Sequence, residues 1–317
     1  RRCELTWTAL IWIYLWMAGM AGGAYLAGFA VNRFTGGRND SLLRLSTYLA
    51  IPLVVVGVLL LIFELGNPIR FWHLFTQFDV TSPMSMGTWI LMAWVIVAMI
   101  MIVSWWLQNR VSQEAADSLA GLRGPLSIVS AVLAAALITY TGVLLAVSSQ
   151  SLWSGTVLLP TLFVISAVST GVAVLILAAL ALNAIAEGNM AGLKGALNFI
   201  FGSAEWKTSK EMVLKLAETD AIIIVLEIIA MVGFVIWLVT STSGSDALAV
   251  LISGSMAAPF WVGVVLLALL IPFGLDLTIR GKAIEAKGVL MTITTSSLCV
   301  IIGGLILRWV ITSGGQL

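Results

Sequence analysis

The stretch Val157–Ala184, VLLPTLFVISAVSTGVAVLILAALALNA, contains no Asp, Glu, Lys, Arg or His. As a helix it exceeds the roughly 20 apolar residues needed to cross about 30 Å of hydrocarbon. Being apolar on every side, it needs lipid or other helices all around it. Seven similar runs accompany it: Leu5–Val31, Leu43–Glu64, Thr88–Leu107, Leu126–Val147, Ala221–Val239, Ala257–Leu277 and Gly288–Ile311. Of the 317 residues, 60% are hydrophobic and 10% charged, with a mean hydropathy of +1.08. An ordinary soluble domain is about 25% charged, so a soluble enzyme and a disordered chain are both excluded. A net charge of +1 also argues against a nucleic-acid partner. The expected fold is an all-α integral membrane protein of eight transmembrane helices, with the lipid bilayer as its first partner.

The charges assign the two faces. The N-terminus and the loops after spans two, four and six carry Arg1, Arg2 and Arg70, and Arg308 near the C-terminus makes a fourth. The other loops hold the remaining twelve of the 16 Lys and Arg. By the positive-inside rule that second face is cytoplasmic and both termini are extracytoplasmic. Outer loops such as SSQSLWSG and TSTSGSD are short and uncharged, but Gly66–Gly87, GNPIRFWHLFTQFDVTSPMSMG, is long. From Ile69, the residues Phe71, Leu74, Phe75 and Phe78 share one helical face, while Arg70, His73 and Gln77 share the other. Pro68–Phe78 therefore reads as an interfacial amphipathic helix on the outer surface. It is either a lid over the bundle or the wall of a lipophilic ligand site. Ser82–Pro83 reads as the cap and first turn of span three.

The long cytoplasmic connection is Ile185–Asp220, where Thr208-x-x-Glu211 has capping-box spacing and opens a helix into span six. Ala247–Ser253 reads as a re-entrant or interfacial approach to span seven. LRLSTYLAI at Leu43 is echoed by LKLAETDAI at Leu214, and SMGTW at Ser85 by SMAAPFW at Ser255. This suggests two four-helix bundles, residues 1–150 and 151–317.

The inventory of ligating side chains is narrow. His73 is the single histidine, so a bis-histidine haem cannot be built, and two cysteines cannot hold an iron–sulfur cluster. Cys299 lies about 11 residues, or roughly 16 Å, inside the last span. Cys3 precedes the first span, beyond the ~7 Å Cα reach of a disulfide. No metal site and no haem are expected in this chain.

Ionisable and polar groups inside spans are costly, so each is a functional candidate. Glu64 ends span two, either as a solvated terminus, as a proton acceptor or as a tether for Arg70. Tyr140 in span four and Tyr14 in span one lie at similar depth beneath the outer face. Each either satisfies its hydroxyl in packing or donates to a ligand oxygen. Gly19 and Gly23 have GxxxG spacing and read as a close helix crossing. Glu227, in span six, has no local partner and reads as an intramembrane proton site, with Asp220 at the membrane edge before it. Asp276 precedes Arg280 by four residues, so it is either half of a surface ion pair or part of the same route. Asn183, Ser166, Ser169 and Thr170 could extend that route, and the tryptophans read as interfacial anchors.

LGNPIRFWH followed by SPMSMGTW resembles the LGRPxRFW…SPMSWGSW signature of the NrfD-like family, the membrane subunits of polysulfide reductase and related molybdenum and hydrogenase complexes. AGMAGGAYLAG in span one, YTGVLL in span four and STG in span five extend the resemblance. Asn67 and Met86 stand where the family often has Arg and Trp. The resemblance implies a prokaryotic cytoplasmic (inner) membrane protein with a menaquinone or ubiquinone site near the outer face. Electrons would pass to or from an extracytoplasmic ferredoxin-like subunit with four 4Fe–4S clusters, itself serving a molybdopterin or comparable catalytic subunit. In that frame Tyr140, Tyr14, Glu64, Arg70 and His73 surround the quinone, and Glu227, Asp220, Asp276 and Asn183 form a proton route. Two other readings of the residues are a secondary transporter with duplicated four-helix halves and a purely structural anchor.

Overall fold

The apolar runs form helices, and several helices outrun them. The computed structural model describes residues 8–37, 39–64, 82–108, 110–147, 152–153, 156–188, 191–201, 208–241, 244–282 and 288–316. All ten elements among them are helical: α1 (Ala9–Phe34), α2 (Asp40–Glu64), α3 (Pro83–Gln108), α4 (Gln113–Ala146), α5 (Leu158–Glu187), α6 (Ala191–Phe201), α7 (Lys210–Thr240), α8 (Gly244–Ile252), α9 (Pro259–Ile279) and α10 (Val289–Gly314). Eight are long and apolar enough to cross a membrane; α6 and α8 are the two short ones. The 34 residues of α4 reach about 51 Å. Its polar first turns, from Gln113, therefore extend beyond the hydrocarbon.

Local chemistry sets the helix ends. Thr8 caps α1 by accepting from the Leu10 amide at 3.3 Å. The α1–α2 turn passes through Gly36 and Gly37 at φ 67° and 82°, a region where a Cβ is strained. Ser82 accepts from the Ser85 amide at 3.5 Å ahead of Pro83, as the Ser-Pro pair predicts. The capping-box expectation is off by one residue: Ser209, not Thr208, accepts from the Met212 amide and caps α7. The ladder of α9 is π-helical over Pro259–Leu270, and the Ile271 amide bonds to the Leu266 carbonyl.

Packing centres on α1 and α5. In lipid the helices gain little from hydrophobic burial against one another, so close backbone contact and dispersion hold them together. A Cβ on Gly23 would overlap the Ala167 carbonyl, and one on Gly171 would overlap the Gly23–Ala24 backbone. Small residues thus let α1 and α5 cross in contact, as the Gly19/Gly23 spacing predicts. Helix neighbours recur at an offset of four spans. Contacts of α1 with α2, α3 with α4 and α1 with α4 match those of α5 with α7, α9 with α10 and α5 with α10.

Two expectations need correction. Trp94, Trp105 and Trp153 are fully buried, so they are core residues rather than interfacial anchors. Trp94 meets Tyr25 edge-on at 5.9 Å, and Trp153 donates to the Ile311 carbonyl at 2.7 Å. Arg308 is not an outer-surface charge. It is 0% exposed, six residues before the end of α10, where Gly304 and Gly19 leave room for its guanidinium.

Candidate functional site

Two buried polar regions stand out in an apolar interior. The first lies between α1, α2, α3 and α4, toward the face that carries Thr8 and Gly314. Tyr14 and Tyr140, from α1 and α4, are both buried and close enough to interact electrostatically. Two glycines make the space for their rings. A Cβ on Gly57 of α2 would lie 3.3 Å from the Tyr14 ring, and one on Gly87 of α3 would overlap the Tyr140 ring. No hydrogen bond joins either phenolic hydroxyl to another described residue, in contrast to Tyr25, which donates to the Ser127 carbonyl at 3.1 Å. Above the pair, Thr8 donates to the Glu64 carboxylate at 2.6 Å, tying the start of α1 to the end of α2. Thr8 precedes Tyr14 by six residues and Glu64 follows Gly57 by seven, about 9–10 Å along their helices. Arg70, Trp72, His73 and the Pro68–Phe78 helix lie outside the described residues.

The second region runs between α5, α7, α9 and α10. Glu227, Asp220 and Asp276 are each at most 4% exposed. Ser169 donates to Asp220 at 3.0 Å, and Asp220 feels the charges of both Asp276 and Glu227. Ser296 interacts with Asp276, whose Oδ2 has no hydrogen-bond partner among the described residues. Ser166 accepts from Arg308 Nη1 at 3.2 Å and lies beside Glu227, so one hydroxyl stands next to both carboxyl and guanidinium. Asp276 also lines a cleft of about 860 Å³ between α7 and α9, together with Lys215, Glu218 and Arg280.

Sequence reasoning brought most of these residues together. Among the described residues Asp276 makes no ion pair with Arg280, so the surface-pair reading fails. Asn183 stands apart: it donates to the Thr208 carbonyl at 2.7 Å, fourteen residues and about 21 Å along α5 from Ser169. Arg308 was missed, because a single arginine near a terminus reads as a surface charge. Its spacing from Gly304 on one helical face, in a span otherwise free of charge, is the signal that could have found it. Among the described residues no group of three or more His, Cys, Asp or Glu could hold a metal ion.

A helical membrane bundle with a buried phenol pair on one side and a buried cluster of carboxyls and one arginine on the other is the class that this architecture defines. The protein belongs to the family described as polysulphide reductase, NrfD, matching it over residues 2–317. It is 28% identical to the polysulfide reductase C-chain of Wolinella succinogenes, over 98% of this sequence and 95% of that one. It is 27% identical to the NrfD homolog of Haemophilus influenzae, over 99% and 95%. A shorter similarity, 25% identity over 37% of this sequence and 27% of the other, is to the selenate reductase C-subunit of Mesobacillus selenatarsenatis.

Proposed function

We propose that this protein is the haem-free, quinone-reactive membrane anchor of a respiratory oxidoreductase complex, seated in the inner membrane with both termini outside. Family membership and relatives named as subunits of polysulfide and selenate reductases support the anchor role. The observation that carries the quinone reading is the Tyr14–Tyr140 pair. Two buried phenols without partners among the described residues are out of place in lipid unless a ligand oxygen satisfies them. A site of this kind needs apolar walls with a few placed polar groups, which α1–α4 supply.

In the proposed mechanism Tyr140 donates a hydrogen bond to one quinone oxygen, and Tyr14 or His73 addresses the other. Quinol oxidation supplies two electrons and two protons. Glu64, held by Thr8, accepts or relays a proton at the outer face, and supplies it in the reverse direction. The electrons pass to an extracytoplasmic ferredoxin-like subunit with four 4Fe–4S clusters, docked through Arg70, Trp72, His73 and the Asp79–Met84 segment, and on to a molybdopterin or comparable catalytic subunit. On the cytoplasmic side, protons reach Glu227 by way of Asp276 and Asp220, entering from the α7–α9 cleft.

Tyr140→Phe tests the site. Loss of one hydrogen bond of ~1.5 kcal/mol lowers quinol-dependent turnover about tenfold, while a dye that feeds the partner directly still supports full activity. If both assays fall together, Tyr140 serves assembly; if neither falls, the quinone binds elsewhere.

A further inference from the structure

Arg308 has no part in the mechanism above, yet it is the most buried charged side chain described. It is 0% exposed, within the membrane-crossing part of α10. Nη1 donates to the Gly304 carbonyl at 2.8 Å and to Ser166 at 3.2 Å, while the guanidinium carbon lies 5.5 Å from the centre of the Phe163 ring. Among the described residues Nε and Nη2 have no hydrogen-bond partner. Nη2 points at α1, where a Cβ on Gly19 would stand 3.1 Å from it. Gly19 is five residues below Tyr14, about 7.5 Å along the helix. Arg308 therefore occupies the junction of α1, α5 and α10, between the last carboxyl of the second region and the level of the tyrosine pair.

A charge in this position is expensive and needs a compensating partner. Among the described residues Glu227 is the acidic group whose charge acts on Arg308, and Ser166, which accepts from Arg308, lies beside both. The same positive charge repels any hydrated proton that passes beyond Glu227, as fixed cations do in pores that exclude protons. We propose that Arg308 is an internal electrostatic barrier. It anchors Glu227 through Ser166 and closes the proton route before it reaches the quinone side, so that Glu227 exchanges protons with the Asp276 cleft alone.

The inference rests on the proton-route reading, and the two fail differently. The whole complex is reconstituted in proteoliposomes without quinol, and passive proton permeability is followed with a trapped pH dye. Wild type and Arg308→Lys are expected to be tight. Arg308→Gln is expected to leak at least tenfold faster, and Arg308→Gln/Glu227→Gln to be tight again because the relay past Ser166 is gone. A tight Arg308→Gln complex overturns the barrier, and so does a double variant that leaks like the single one. If Arg308→Gln does not assemble but the double variant does, the charge pairing is upheld; if neither assembles, Arg308 serves packing and the proposal falls. Unchanged proton uptake in Glu227→Gln alone would instead sink the route on which the barrier acts.

Discussion

Tyr14 and Tyr140 were singled out in the sequence as phenols about two turns beneath the outer face, each open to a packing or a ligand role, with Tyr140 favoured by the family-like YTGVLL. What the sequence could not show is their proximity, which depends on Gly57 and Gly87 of two other helices. Asp276 illustrates the opposite difficulty. Its spacing from Arg280 fits a helical ion pair, but α9 ends at Ile279, and Asp276 turns inward toward Ser296 and Asp220. Arg308 was passed over because the positive-inside count treats every arginine near a terminus as solvated, whereas a pocket of glycines can take one in. Glu227 was legible through its isolation in span six, and its test follows from its neighbours. Glu227→Gln keeps the shape but cannot carry the proton, so on the proposed route cytoplasmic proton uptake should fall while quinone binding is retained. Unchanged turnover and proton stoichiometry in that variant would make Glu227 structural.

All eight spans were readable, since an apolar run of this length has one stable form in lipid. Their boundaries were less so. Apolarity marks where lipid begins, not where the helix does, so α4 starts at Gln113 and α7 at Lys210, each about a dozen residues before the apolar run. The α1–α5 crossing was half visible, as Gly19 and Gly23 declared a close approach without naming the partner. It predicts a sharp difference between glycines. Gly23→Val places a Cβ on the Ala167 carbonyl and should destabilise the bundle by about 1–3 kcal/mol or more, read as a lower melting midpoint in detergent. Gly233→Ala, whose Cβ would meet only Leu158 at 3.9 Å, should melt like the parent. Equal midpoints would mean that α1 and α5 do not touch in this way.

For the molecule as a whole, the proposed division of labour sets quinone chemistry in α1–α4 and proton exchange in α5, α7, α9 and α10. The helix neighbours recur between these sets, and α1 and α5 join them. The proposed electron exchange needs a partner on the outer face, and the sequence of Gly66–Gly87, most of which lies outside the described residues, supplies the polar and aromatic side chains proposed to bind it. Arg70→Glu should therefore reduce the iron–sulfur subunit recovered with this protein at constant expression. Stable recovery of an iron–sulfur subunit bound instead through Ile185–Asp220 would invert the topology. The central claim is the seat of the quinone ring, and photolabelling of the purified complex with an azido-quinone tests it most directly. Labelled peptides should come from α1, α3 and α4 around Tyr14, Gly87 and Tyr140, and labelling should fall when excess quinol is present. Quinol-protected labelling confined to α7, α9 or α10 would contradict the account.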